Sequence, residues 1–252
     1  MRKLAIIFGG QSSEHEISII SATNVSKQVD TSKYELIFIG ITKEGRWLKV
    51  DSIASIEDGS WLNSKTSAYI LPDATKKCIM IETDGEYKEI AVDVVFPVMH
   101  GLYGEDGTIQ GLLELADIPY VGCGVLASAV GMDKLYTKLV VDKLGIRQAA
   151  YEPVLDYEVK DDFKGVIKRI EDRFEYPVFV KPSNAGSSKG VSKASDREEL
   201  EKGIIEALNH DRKILVEETI VGHEVECGVL GRPGNVMASG VGEIKSATTF
   251  YD

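Results

Sequence analysis

The apolar run at residues 4–8 ends at the paired glycines Gly9 and Gly10, and a helical pattern follows almost at once. A continuous apolar strand has no polar face to give to water, so it must be covered on both sides, which calls for helices packed above and below a sheet. Ser13 and Glu16 form an S-x-x-E capping box ahead of Ile17, Ile20 and Val25, predicting a helix after the glycine turn. Residues 34–41 repeat the apolar strand, and the turn at 43–46 leads into 47–50 as a hairpin. Residues 78–81 and 87–90 flank Asp84-Gly85 as a second hairpin, and 92–98 is rich enough in β-branched residues to be a central buried strand. Residues 51–76 are poorly patterned. The alternation predicts a doubly wound α/β domain.

A loop at 100–107, a helix over 108–115 and a short strand at Tyr120-Val121 lead to Gly122, where the first domain is expected to end. Residues 125–144 read as helical with a break near Met132-Asp133, and Gly145 sits where a helix C-terminal glycine belongs. A second unit follows as strand (151–155), helix (162–173), strand (178–180), glycine-serine loop, strand (191–194), helix (196–208) and strand (214–217). Ser195 with Glu198 is the expected cap of the last helix.

Composition narrows the partners. Forty acidic against 29 basic side chains leave a formal charge of -11, which disfavours nucleic acid or an anionic membrane surface, since phosphate demands a concentrated basic footprint. Cys78, Cys123 and Cys227 are odd in number and in no CxxC pair, so neither a disulfide framework nor a zinc site is indicated and reduced cytoplasm is the expected compartment. Residues 4–8 are far shorter than the apolar core of a signal peptide and precede no cleavage site. No apolar stretch approaches the length that crosses a bilayer, so the chain is expected to be soluble.

The strongest chemical feature is residues 178–190, an apolar strand delivering Lys181 and then a loop of small residues, Ser183, Asn184, Ala185, Gly186, Ser187 and Ser188, rich in hydroxyls. A lysine at a strand end places its ammonium against phosphate oxygens, while glycine backbone N–H groups and serine hydroxyls complete an anion cradle. The alternative is a solvated hairpin loop; the lysine closing a wholly apolar strand favours the cradle. Neither the Walker A spacing nor G-x-G-x-x-G occurs.

This strand and loop resemble the phosphate-grasping lysine and mobile loop of the ATP-grasp superfamily. Three further segments resemble the D-alanine:D-alanine ligases within it: residues 7–18, opening Ile-Phe-Gly-Gly and carrying Glu14; residues 97–111, with His100, Gly101 and Glu105-Asp106-Gly107; and residues 120–134, from Tyr120-Val121-Gly122 to Met132-Asp133-Lys134. Four motifs in the family's order cover nearly the whole chain. The resemblance implies a Rossmann-like, pre-ATP-grasp N-terminal domain over residues 1–122. It also implies the small α+β lid subdomain of an ATP-grasp fold over 123–216 and the start of a truncated C-terminal ATP-grasp subdomain over 217–252.

It further implies that Glu14 binds the ammonium of the first D-alanine and that His100 lies near the reacting carboxylate; taken as residues alone, Glu14 is equally a charge at a helix N-terminus and His100 a loop cap. Lys134 and Lys181 would contact the phosphates of ATP, with Ser187 and Ser188 closing over them and Ser187 bonding the substrate-binding glutamate. Residues 217–224 would form the hinge against adenine, with Glu217 at its edge, Glu218 and Ile220 in the hinge backbone, and Glu224 at the ribose hydroxyls. Glu105 and Asp106 read as helix N-terminal charge and cap, and Arg46, Trp47 and Trp61 as structural. Magnesium ligands and the acceptor site are expected beyond Asp252, the family's flap beginning at Phe250-Tyr251-Asp252.

The implied reaction joins two D-alanines through an acyl phosphate for peptidoglycan precursor synthesis, in a cytoplasmic homodimer. The 252 residues alone are expected not to turn over, a point tested by D-alanine-dependent phosphate release. Ala185 replaces an acidic residue often found before the loop glycine in alanine-specific members, leaving D-serine or D-lactate as alternative second substrates. A non-catalytic nucleotide-binding module is the alternative of another class.

Overall fold

The computed structural model describes residues 1–232 and 234–245, so Phe250, Tyr251 and Asp252, where the flap was expected to begin, lie outside the described residues. The described residues divide into two compact units, one of Met1–Gly145 with Ser183–Gly186, the other of Ile146–Pro182 with the described residues from Ser187 onward.

In the first unit the strands are β1 (Arg2–Gly9), β2 (Tyr34–Ile41), β3 (Trp47–Val50), β4 (Ser67–Ile70), β5 (Cys78–Thr83), β6 (Glu86–Ala91) and β7 (Val94–Pro97). They form one sheet in the order β6-β5-β4-β3-β2-β1-β7. The strands β2, β1 and β7 are parallel, and β3 to β6 extend the edge as antiparallel hairpins. The β1 run is covered on both faces, as its composition requires. Ala5 and Ile7 join a core with Ile39, Ile109 and Leu113, whereas Leu4, Ile6 and Phe8 join one with Ala22, Phe38, Leu48 and Trp61. Helices α1 (His15–Gln28), α2 (Ile53–Glu57), α3 (Thr108–Leu115), α4 (Val125–Met132) and α5 (Lys134–Lys143) complete the unit. Residues 51–76, unpatterned in sequence, hold α2, a 3-10 turn at Ser60–Asn63 and β4.

Two local expectations are corrected. The Ser13–Glu16 capping box does not form: α1 starts at His15 with Glu14 at the cap position and no side-chain cap, and Glu16 turns outward to Lys43, 2.8 Å away. Of the apolar positions expected to face the core from α1, Val25 packs against it and Ile17 and Ile20 do not. Ser18, Ala22, Thr23 and Ser26 are buried while Ile17 and Ile20 are 51% and 57% exposed, because small side chains let the helix lie close against the sheet.

The second unit contains β8 (Tyr151–Leu155), α6 (Asp156–Glu171), β9 (Val178–Pro182), β10 (Ser192–Ala194), α7 (Arg197–Leu208), β11 (Lys213–Glu218), β12 (Glu224–Arg232) and β13 (Asn235–Ile244). An antiparallel sheet runs β10-β9-β11-β8, and β12 with β13 forms a separate hairpin. Val154, Val178, Val180, Ile214 and Val216 face Val166, Ile170, Leu200 and Ile204, burying one sheet face under α6 and α7. The cap of α7 is Asp196, which accepts the Glu199 N–H at 2.9 Å, one residue beyond the expected Ser195 and Glu198. Helix α6 begins at Asp156 rather than 162, its two parts joined across a non-helical Asp162 (φ -150°, ψ 75°).

Candidate functional site

The exit of β1 is built around a close approach. Gly9 and Gly10 have φ of 84° and 103°, and a Cβ on Gly9 would collide with the Ile41 carbonyl oxygen. Ser18 ties the strand ends together, accepting the Gly9 N–H at 2.8 Å and donating to the Val98 carbonyl at 2.5 Å. His15, buried and stacked on Trp61, bonds through Nδ1 with the Gly10 carbonyl oxygen at 2.8 Å. The turn is thereby held so that Glu14, the residue before His15, sits at the head of α1, its N–H bonded to Ser12 Oγ at 3.0 Å.

The half-buried Glu14 carboxylate is packed against two glycine backbones. A Cβ on Gly186 would lie 2.5 Å from Glu14 Oε2, and one on Gly101 would meet the same oxygen. The turn after β1, the loop after β7 and the first part of the serine loop, far apart in sequence, therefore meet at one carboxylate. His100 stands at the carboxyl end of β7, its Nε2 2.9 Å from Ser21 Oγ. Glu105 and Asp106 are consumed by their own loop: Glu105 accepts the Gly101 N–H at 2.7 Å, and Asp106 accepts those of Tyr103 and Thr108. A cavity of about 400 Å3 lined by Met99, Gly104, Gln110 and Ser128 opens beside that loop, so the carboxyl end of β7 is not filled by side chains.

Lys134 opens α5. Its Nζ donates to the Ala185 carbonyl at 2.6 Å and its N–H to the Ser183 carbonyl at 3.0 Å. Asp133, only 6% exposed, accepts from Ser183 Oγ at 2.7 Å, from Asn184 Nδ2 at 3.2 Å, and from the N–H groups of Leu135 and Tyr136.

In the second unit Lys181 and Phe179 lie on the face of β9 turned away from α6 and α7. Lys181 Nζ donates to Glu217 Oε2 at 2.8 Å and sits 5.6 Å from the Phe179 ring centroid. Glu217 is 5% exposed, so this is a buried acceptor satisfied by a partly exposed cation. Ser187 and Ser188 take left-handed backbone angles, φ 46° and 52°, a conformation that costs roughly 1–2 kcal/mol for a residue other than glycine. Strain of that kind collects at ligand clamps. Glu218 is bound to the chain itself, its N–H donating to the Ala150 carbonyl and its carboxylate accepting the Ala150 N–H at 2.8 Å. Ile220 is 62% exposed, and Glu224 is exposed at the start of β12. Among the described residues, no cluster of three or more His, Cys, Asp or Glu side chains is placed to hold a metal ion. Among the same residues no helix is long and apolar enough to cross a membrane.

Sequence reasoning gave no role to Asp133, Gly101 or Ser18, and it counted the Ser183 hydroxyl as part of the anion cradle, whereas that hydroxyl is buried and bonded to Asp133 and the Leu135 N–H. Asp133 had a legible signal, an aspartate at a helix break, which is a preferred N-cap. The others each depend on a partner 48 or more residues away in the chain.

Two family profiles match the chain: one described as D-ala D-ala ligase N-terminus over residues 3–123, the other as D-ala D-ala ligase C-terminus over residues 140–252. The D-alanine–D-alanine ligase of Acetivibrio thermocellus is 51% identical, covering 100% of this chain and 70% of its own length. That of Clostridium novyi is 50% identical with the same coverage. Among solved structures, the VanG D-Ala:D-Ser ligase of Enterococcus faecalis superposes with a TM-score of 0.89 at 37% identity, over 100% of this chain and 72% of that one. The D-alanine–D-alanine ligase of Coxiella burnetii gives 0.85 at 35% identity, over 97% and 71%.

Proposed function

The chain belongs to the D-alanine–D-alanine ligase family, and from that premise we propose that it receives ATP and D-alanine for the ATP-dependent joining of two D-alanines into D-alanyl-D-alanine. The observation that carries this reading is the meeting of three separated motifs at the Glu14 carboxylate. A carboxylate at a helix head, enclosed by bare glycine backbone, suits a small ammonium and leaves little room for a larger group. In this reading Glu14 fixes the D-alanine ammonium and His100 stands by its carboxylate. Lys134 and Lys181 neutralise the ATP phosphates, and Ser187 and Ser188 donate to them. Glu217, Glu218 and Ile220 carry the hinge against adenine, and Glu224 accepts from the ribose hydroxyls. ATP supplies the phosphoryl group that makes the first carboxylate reactive toward the second amine.

Magnesium would accompany the nucleotide, and among the described residues no cluster of three or more His, Cys, Asp or Glu side chains would hold it on protein ligands alone. The same reading puts the chain in the cytoplasm as a homodimer, consistent with Cys78, Cys123 and Cys227 all being free thiols. Calorimetric titration with a non-hydrolysable ATP analogue and with D-alanine tests it: binding of both supports the reading, and binding of neither overturns it. Nucleotide binding without D-alanine binding would favour the nucleotide-binding module.

The likeness to a D-Ala:D-Ser ligase supports D-serine as a second reading for the acceptor. Extended to the length of its relatives, the chain would be given equimolar D-alanine and D-serine with ATP. A product of D-alanyl-D-alanine alone supports the first reading, and D-alanyl-D-serine the second.

A further inference from the structure

Asp133 is an aspartate that the proposed chemistry leaves unused, yet it is among the most heavily engaged side chains in the first unit. It is 6% exposed and accepts from Leu135, Tyr136 and Ser183 on Oδ1 and from Asn184 on Oδ2. Two come from the first turn of α5, the Leu135 and Tyr136 N–H groups, which is ordinary capping. The other two come from Ser183 and Asn184, 50 and 51 residues on, in the first part of the serine loop. Ser183 is wholly buried and its Oγ also accepts the Leu135 N–H at 3.2 Å, closing a ring of bonds between the helix head and the loop. The next residue on the helix is Lys134, whose N–H and Nζ bond the carbonyls of Ser183 and Ala185. One carboxylate thus fixes the helix that carries a phosphate-reading lysine to the stem of the loop that carries the phosphate-reading serines.

We propose that Asp133 is a positioning residue, locking residues 183–185 to the head of α5 so that Lys134 is held in a fixed relation to the stem from which Ser187 and Ser188 extend. The inference rests on the nucleotide reading above. A buried, fully satisfied network of this kind specifies one geometry, and losing one member leaves the others unpaired. In Asp133→Ala the Ser183 hydroxyl and Asn184 amide lose their acceptor and the cap is removed. In Asp133→Asn one side-chain oxygen still caps the helix and accepts from Ser183, and the new amide can pair with a turned Asn184.

The test uses the 252-residue chain, titrated by calorimetry with a non-hydrolysable ATP analogue and, separately, with adenosine, while hydrogen exchange is followed over residues 183–188. Adenosine has no phosphates, so it reports the hinge and not the lysines. Asp133→Ala is expected to weaken the triphosphate roughly tenfold with adenosine unchanged, and to speed exchange at the loop stem; Asp133→Asn is expected to recover most of that loss. Should Asp133→Ala fail to fold, Asn184→Ala, at an exposed residue, should show the same triphosphate-selective loss at roughly a third of the size. Unchanged triphosphate binding in the variant that folds, or equal losses for triphosphate and adenosine, would overturn this inference while leaving the nucleotide reading intact. Failure of the parent chain to bind either nucleotide would overturn both.

Discussion

Gly186→Ala separates the chemistry of Glu14 from the stability of the fold. The new Cβ would stand 2.5 Å from Glu14 Oε2, whereas unbonded atoms settle at about 3.5 Å, so the carboxylate must retreat by about 1 Å. Gly186 is not among the residues with left-handed φ, so alanine brings no backbone strain there. The displaced group is the tip of a flexible side chain, and the fold should lose less than about 1 kcal/mol. An ammonium held by that carboxylate would lose much of a charge-assisted hydrogen bond, about 1.5–3 kcal/mol, or roughly ten- to a hundredfold in D-alanine affinity. Gly59→Ala is the counterpart: φ is 77° with nothing within 4 Å, so it should destabilise by about 1–2 kcal/mol and leave D-alanine binding untouched. Gly101→Ala combines both effects, with φ 67° and the Glu14 contact. Calorimetry with D-alanine and urea unfolding on the three variants read the two quantities apart. D-Alanine affinity in Gly186→Ala equal to that of the parent would refute the placement of the ammonium at Glu14.

Lys181→Met removes the donor 2.8 Å from the nearly buried Glu217, and urea unfolding should show a loss of about 1–3 kcal/mol, with Glu217→Gln, which keeps an acceptor, losing less. Ser188→Gly relieves a left-handed serine at φ 52°; after allowing for the freer unfolded chain, stability should rise by about 0.5 kcal/mol while binding of an ATP analogue weakens, and unchanged binding would remove Ser188 from the site. Burial and a hydrogen bond to Glu114 push Tyr120 from 10.0 up to about 12, and burial with Glu171 does the same for Tyr176. Between those values the unfolded chain gives up protons that the folded chain keeps, so stability should fall as pH rises from 10 toward 12. Tyr120→Phe and Tyr176→Phe should each flatten that fall in alkaline urea titrations, and an unaltered slope would contradict the assigned bonds.

The parts of the fold that were legible in sequence are those set by local pattern. Strand β3, strand β8 and helix α3 begin and end where their residues predicted, and the helix break at Met132-Asp133 became the α4–α5 junction. What failed was decided by remote partners. Helix α1 turns Ile17 and Ile20 outward because Ser18 must reach Gly9 and Val98, a demand no helical periodicity contains. The caps at Ser13 and Ser195 were misplaced because Glu16 has a better partner in Lys43 and Asp196 caps more directly than Ser195. Strand β4 takes its register from β5, across a connection that the sequence pattern could not bridge. For the candidate site, Glu14, Lys134, Lys181 and the serine loop stood out because four motifs kept one order. Asp133 and Gly101 serve those residues through contacts invisible until the chain is folded.

The account turns on whether Glu14 receives an ammonium, and calorimetry comparing D-alanine with D-lactate, which lacks that group, on the parent chain and on Glu14→Gln tests it most directly. The parent should bind D-alanine at least tenfold more tightly than D-lactate, and Glu14→Gln should lose most of that preference by weakening D-alanine alone. Equal binding of the two ligands by the parent, or a preference that survives in Glu14→Gln, would contradict it.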